Sequence, residues 1–270
     1  MHARELASGN LVPVEPKHAA TVVLLRDGAS GLEAYLLRRT RSMAFAAGMY
    51  VFPGGRVDPR DEALSDDAWA GPPPTAWAQL LTADESLTKA LVCAAVRETF
   101  EESGVLLAGA SADDVVADTT GEEWERDRQA LVDRSLSFAA LLDRRGLMLR
   151  ADLLRPWAHW ITPEFEPRRY DTRFFVASLP PGQRPRDVGG EADRVAWVRP
   201  ADALGAAERG DMGMLPPTAF TLSEISTYDD VAAVLAAGTA RDVRPVLPKL
   251  VITDDDEARL LLPHDEDYPR

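Results

Sequence analysis

The chain has little that could staple it, anchor it or draw it to a polyanion. Cys93 is its only cysteine, which excludes an internal disulfide and fits a reducing compartment. No apolar run approaches the roughly 20 residues needed to span a bilayer. The opening "MHARELASGN" has no hydrophobic signal core, so a cytoplasmic protein without a membrane partner is expected. Positive charge is scarce: 30 basic residues face 44 acidic ones, for a net charge of −14. Duplex nucleic acid favours a basic face, so nucleic acid is not an expected partner. Lysine is almost missing, with Lys17, Lys89 and Lys249 standing among arginines. Arginine forks suit phosphates, but genome composition is the favoured explanation of the bias. No internal repeat is present.

What remains has the composition of an ordinary globular protein, 46% hydrophobic and 27% charged over 270 residues, enough for one large domain. Residues 1–16 read as a flexible leader and 17–270 as a single domain. "AATVVLLRD" (19–27) and "LEAYLLRRT" (32–40) read as paired strands around a turn at Gly28 to Gly31. "GMYVFPGG" (48–55) is a short strand stopped by Pro53 and two glycines. About thirty irregular residues follow, including "GPPPT" at 71–75; an excursion of that length is an insertion or a functional loop. Residues 85–103 predict a helix, and 109–146 look mostly helical and strongly charged. Strands are expected at 156–163, 172–180 and 193–200, with a helix opening at "ADAL" (201–204) and another within 218–238. Strands and helices mix without βαβ alternation, which predicts a mixed-sheet α/β sandwich.

The stretch "AAVRETFEESGVLL" (94–107) crowds Glu98, Glu101 and Glu102 into five residues. Like charges three and four apart on a helix repel. On a helical wheel the three fall on one arc with Leu91, Ala94 and Ala95, while Val92, Cys93, Val96 and Phe100 occupy the opposite, core-facing arc. No lysine is interleaved. Arg97 stands at i,i+4 to Glu101, where it can orient that carboxylate, and Gly104 ends the helix as a C′ glycine does. Hard oxygen ligands on a rigid element suit Mg²⁺ or Mn²⁺, which would also relieve the repulsion.

"RETFEESGV" (97–105) resembles the second half of the Nudix box, G-x5-E-x7-R-E-U-x-E-E-x-G-U, and "FPGG" (52–55) resembles its start. Forty-one residues separate Gly55 from Arg97 where the box has thirteen, so about 28 are inserted. Counting back from Arg97, the middle glutamate of the box falls on Lys89; counting forward from Gly55, it falls on Asp61. Such a split box resembles the subgroup that includes peroxisomal coenzyme A diphosphatases. The likeness continues through "RSMAFAAGMYVFPGG" (41–55), "WITPEFEPRRYDTRFFVA" (160–177), "EADRVAWVRPADAL" (191–204) and "LPPT" (215–218). The first segment departs from the coenzyme A signature at Phe45 and Ala46, and its spacing is two residues short.

The resemblance implies a Nudix-type α/β/α sandwich with a helical insertion, here insertions at about 57–85 and 109–150. It implies metal-dependent hydrolysis of a nucleoside diphosphate linked to another group. Coenzyme A or acyl-coenzyme A is the first expectation, with ADP-ribose, NADH or a nucleotide sugar as alternatives, and a non-catalytic nucleotide sensor as a third. Catalytic roles are expected for Arg97, Glu98 and Glu101, and metal ligation by Glu98, Glu101, Glu102 and Glu191; any one of the helix glutamates could be the base. Gly54 and Gly55 are expected to let backbone amides approach phosphate. Arg168, Arg169 and Arg173 are expected to bind substrate phosphate bidentately, or else to pair with Asp171 at a strand edge. The partner is then a small nucleotide diphosphate, and many Nudix enzymes are homodimers. The first insertion is expected to fold over or beside the diphosphate site.

Overall fold

A computed structural model describes residues 12–40, 46–189, 192–252, 258–263 and 265–269. Its main sheet is built on the predicted hairpin. Strand β1 (Lys17–Gly28) turns through Gly28 and Gly31 into β2 (Gly31–Arg39). The side chains of β1 alternate as a two-residue period requires: Ala20, Val22 and Leu24 enter one core, Val23 and Leu25 the other. Short β3 (Tyr50–Val51) pairs with β2, and β4 (Gly54–Arg56) pairs with β1. Two further strands, β8 (Leu154–Ile161) and β9 (Tyr170–Ser178), continue the sheet, and β10 (Ala192–Val198) closes the other edge on β2. The sheet is mixed: β1 and β9 run parallel, while β1/β2 and β8/β9 run antiparallel.

Helices cover both faces, giving the expected α/β/α sandwich. On one face lie α1 (Pro74–Leu81), α2 (Glu85–Ser103), α3 (Glu122–Val132) and α4 (Phe138–Arg145). On the other lie α5 (Pro200–Glu208), α6 (Pro216–Ile225) and α7 (Val231–Thr239), which bury Ala203, Leu222, Ile225 and Val234. Among the described residues no helix is long and apolar enough to cross a membrane.

The region read as irregular contains α1, which starts at Pro74 inside "GPPPT". Proline is pre-set for the first helical position and lacks only an N–H that would go unused there. The two segments expected to be insertions are joined: β5 (Trp69–Ala70) from the first pairs with β7 (Met148–Arg150), which also pairs with β6 (Ala108–Gly109) at the other end of the second. Of the leader, residues 12–16 carry no regular element, yet Val14 O accepts from Arg169 Nη1 at 2.8 Å. The remainder of the leader and residues 41–45 of the signature-like segment lie outside the described residues.

Candidate active site

Helix α2 has the predicted bounds for local reasons. Asp84 caps it by accepting from the Leu87 amide at 2.8 Å, and Gly104 ends it at φ 73°, the left-handed conformation that glycine adopts without a Cβ penalty. The two-faced wheel is corrected by packing. Leu91 to Val96 are each at most 1% exposed, because the sheet covers one side of the helix and the insertions the other. Only its last turn reaches a cleft, which is lined by Glu98, Glu101 and Glu102, by Leu37, Arg39 and Val51 of the sheet, by Arg128, Gln129 and Val132 of α3, and by Val188, Gly189 and Ala192.

Arg97 organises the acidic turn from behind. Its Nε and Nη2 donate to the two carboxylate oxygens of Asp61, at 2.9 and 3.0 Å. Its Nη1 donates to Glu98 Oε1 at 2.8 Å and Glu101 Oε1 at 3.0 Å, and Nη2 also reaches Arg56 O at 2.9 Å. Burial alone would lower the Arg97 pKa, but Glu98, Asp61 and Glu101 hold it well above its usual value. Asp61 is 2% exposed and also accepts from the Asp58 amide at 2.8 Å, so it is fixed before it meets Arg97. Asp61, the residue reached by counting forward from Gly55, is thus the carboxylate that grips Arg97. Lys89, the alternative from the backward count, pairs with Asp66 in the first insertion.

The paired glycines serve the carboxylates directly. A Cβ on Gly55 would lie 2.5 Å from the Glu98 carboxyl group, and one on Gly54 would meet Thr21 and Ala20 of β1. The Gly54 amide donates to Glu102 Oε2 at 2.9 Å. This corrects the expectation that the Gly54 amide faces phosphate: a glutamate already holds it. Burial pushes the Glu98 carboxyl up to about 7; Arg97 pulls it down, and the Glu101 charge pushes it further up. Glu101 is raised in the same sense, again chiefly by burial.

The arginine cluster is the larger correction. Arg169 is 7% exposed and spends its guanidinium on Thr162 O and Val14 O. Arg173 is 3% exposed; it pairs with Asp171 and donates to Leu81 O at the end of α1. Arg168 is exposed, and none of the three lines the acidic cleft. Pairing with Asp171, the alternative reading, describes Arg173. Asp171 also receives His159 Nε2 at 2.5 Å and has His18 Nδ1 at 3.4 Å, a convergence of distant strands that no sequence spacing announces. Glu191 lies outside the described residues. Arg128 was not anticipated either; it is one charged residue among many in "EEWERDRQALV".

Among the described residues, no three acidic, histidine or cysteine side chains converge as a ready metal cage. Glu98 and Glu101 turn onto Arg97, and Glu102 onto the Gly54 amide. In chemistry the set fits: all donors are carboxylate oxygens on one rigid helix end, and burial disfavours the Glu98 anion until a countercharge is supplied. A hard cation that keeps waters and takes substrate phosphates into its shell does not require a complete protein cage.

Comparison with known proteins agrees with this architecture. A family model described as the NUDT19 Nudix domain matches residues 73–225. The acyl-coenzyme A diphosphatase NUDT19 of Xenopus laevis is 26% identical over 237 residues, covering 75% of this chain and 62% of that protein. Its human namesake is 27% identical over 285 residues, covering 89% and 73%. The match thus spans less than two thirds of the Xenopus relative. A crystal structure of a NUDIX hydrolase from Alicyclobacillus acidocaldarius is 28% identical, with a TM-score of 0.73 over 86% of this chain and 99% of that one. Nudix hydrolases generally use divalent metal ions. With its split box reassembled in three dimensions, the chain belongs to the NUDT19 Nudix domain family.

Proposed function

We propose that this protein hydrolyses the diphosphate bond of coenzyme A or its acyl derivatives, giving adenosine 3′,5′-bisphosphate and (acyl-)4′-phosphopantetheine. The observation that carries the reading is the trio of Glu98, Glu101 and Glu102 on one cleft wall, with Arg97 locked behind them by Asp61. The name of the NUDT19 relatives supplies the substrate class.

Glu98, Glu101 and Glu102 would hold Mg²⁺ or Mn²⁺, which when bound supplies charge neutralisation for the diphosphate and a more acidic water. Glu98 is the proposed base that takes a proton from the attacking water, with Glu101 and Glu102 beside it on the cleft wall. The water oxygen adds to one phosphorus of the diphosphate and the bridging oxygen departs with the other, so each product keeps one of the two diphosphate phosphorus atoms and the adenosine product also keeps the 3′-phosphate. Arg97 holds Glu98 and Glu101 in place through its Nη1. Gly55 leaves room for the Glu98 carboxyl group, and Gly54 fixes Glu102. Glu191 remains a proposed further ligand, from the segment after Gly189. The protein is read as a cytoplasmic enzyme of small nucleotide diphosphates, homodimeric by analogy with other Nudix enzymes.

One observation favours a second reading, hydrolysis of ADP-ribose, NADH or a nucleotide sugar. Arg169 and Arg173, expected to grip the 3′-phosphate of coenzyme A, are committed to backbone carbonyls. Ion chromatography of products formed with Mg²⁺ from coenzyme A, 3′-dephospho-coenzyme A, ADP-ribose and NADH separates the readings. Adenosine 3′,5′-bisphosphate as the main product, with the highest kcat/KM for coenzyme A or an acyl-coenzyme A, is expected. A higher kcat/KM for ADP-ribose or NADH establishes the second reading, and binding of one of these nucleotides without cleavage favours a sensor.

A further inference from the structure

Both insertions reach Glu101, from opposite ends of the residue. Its carboxylate receives Arg97 Nη1 at 3.0 Å, and Arg97 is gripped by Asp61 of the first insertion. Its backbone carbonyl receives Arg128 Nη1 at 2.8 Å, from α3 of the second insertion. Arg128 is 3% exposed. Its Nε and Nη2 are held by Glu125, and Nη2 also points to Val188 O at 3.4 Å. Glu125 accepts in turn from Arg186 Nη2 at 3.1 Å.

The end of α2 is thus capped from outside its own sequence neighbourhood. A helix C-terminus leaves carbonyls without intrahelical partners and carries partial negative charge. Here Glu101 O accepts from Arg128, Ser103 O from the Arg186 amide at 3.0 Å, and Gly104 O from Thr119 Oγ1 at 2.6 Å. Of these three donor residues, only Arg128 lines the cleft. It places positive charge beside carbonyls and carboxylates that would otherwise repel each other and an incoming diphosphate.

We propose that Arg128 is a positioning residue for this site: it pins the backbone of Glu101 while Arg97 pins the carboxylate, so that the second insertion is a working part of the active site. The kinetic consequence rests on the diphosphatase reading; the consequence for cation binding does not.

The test uses the full chain and Mn²⁺ alone as probe, titrated by the loss of the free-ion EPR signal, beside kcat and KM for coenzyme A and thermal melts. Arg128→Met is expected to weaken Mn²⁺ binding and to lower kcat by roughly tenfold each, as for other residues that orient a ligand, with KM within about threefold. Arg128→Lys should recover most of both, because its ammonium keeps a donor for the carbonyl. Thr119→Val, which removes a cap but not the grip on Glu101, should lower the melting temperature while leaving Mn²⁺ affinity and kcat within about twofold. Wild-type Mn²⁺ affinity and kcat in Arg128→Met overturn the proposal, as does a Thr119→Val variant with the same losses. If Arg128→Met does not fold, Glu125→Gln carries the test: it loosens the Arg128 fork and should give a partial loss of both, and no loss overturns the proposal. If the wild-type chain cleaves no diphosphate, the functional reading falls, and the Mn²⁺ titrations still decide the role of Arg128.

Discussion

Two charge clusters sit on the face of the sheet that α1 to α4 cover, and they differ in balance. In one, Arg97 faces Asp61, Glu98 and Glu101, with Glu102 beside them and Arg39 and Arg128 also lining the cleft. In the other, the single carboxylate Asp171 faces Arg173, His159 and His18. The first leaves negative charge that its own arginine does not neutralise, and it opens into a cleft. The second spends its cation on Leu81 O at the end of α1, where a helix terminus attracts positive charge. Arginines are present in both, so arginine itself does not mark a phosphate site. A charge excess facing solvent marks the place for a ligand, and a balanced set facing backbone marks a joint between segments.

The comparison breaks most sharply at Glu98. Glu98→Gln or Glu102→Gln should lower turnover at saturating Mg²⁺ by about a hundredfold or more, the scale of a lost general base or metal ligand. Circular dichroism and melting of Glu98→Gln should show a fold at least as stable, since an anion disfavoured by burial has been removed. Near-wild-type kcat in either variant removes that residue from the mechanism. Gly55→Ala should come next, with a loss on the order of tenfold in kcat. Its Cβ would meet the Glu98 carboxyl group at 2.5 Å, so the carboxylate must move although no charge has changed. Unchanged kinetics would show that the close approach is incidental.

The two arginine networks can be separated by stability and activity measured together. Asp61→Ala leaves Arg97 buried without its bidentate partner and should cost about 3–5 kcal/mol in urea unfolding, with turnover reduced as well. Arg173→Met should also destabilise, by about 1–3 kcal/mol for the donors lost to buried acceptors, while kcat/KM for coenzyme A stays within about twofold. A selective loss of kcat/KM for coenzyme A over 3′-dephospho-coenzyme A in Arg173→Met would return that residue to the substrate site.

The smallest effect is on the pH dependence of stability without divalent ions. The folded-state pKa of Glu98 is raised from 4.5 to about 7. Its contribution is fully present below pH 4.5 and is lost as pH rises through about 7. Melting temperature in EDTA should therefore decline across that window in the wild type, and the decline should be shallower in Glu98→Gln. Adding Mn²⁺ should flatten the wild-type slope by favouring the anion. A slope identical in both proteins would assign it to other groups.

Sequence alone determined the hairpin of β1 and β2, the full extent of α2 and the presence of an acidic last turn, because each is set by neighbours within a few residues. Alternating apolar positions made the strands legible, Asp84 and Gly104 bounded the helix, and three glutamates in five residues announced a local charge excess. The G-x5 count from Gly55 offered Asp61 as a candidate, but only the packed structure selected it, since 35 residues intervene before Arg97. Tertiary structure also decided which arginines matter. "PRRYDTR" looks like a phosphate clamp when read along the chain, yet strand pairing turns Arg173 toward Leu81 O. Arg128, inconspicuous in a charged helix, is carried to the carbonyl of Glu101 because β5, β6 and β7 tie the two insertions together beside α2. A guanidinium is spent on whichever acceptors the fold buries beside it, and that choice is made by contacts between segments far apart in sequence.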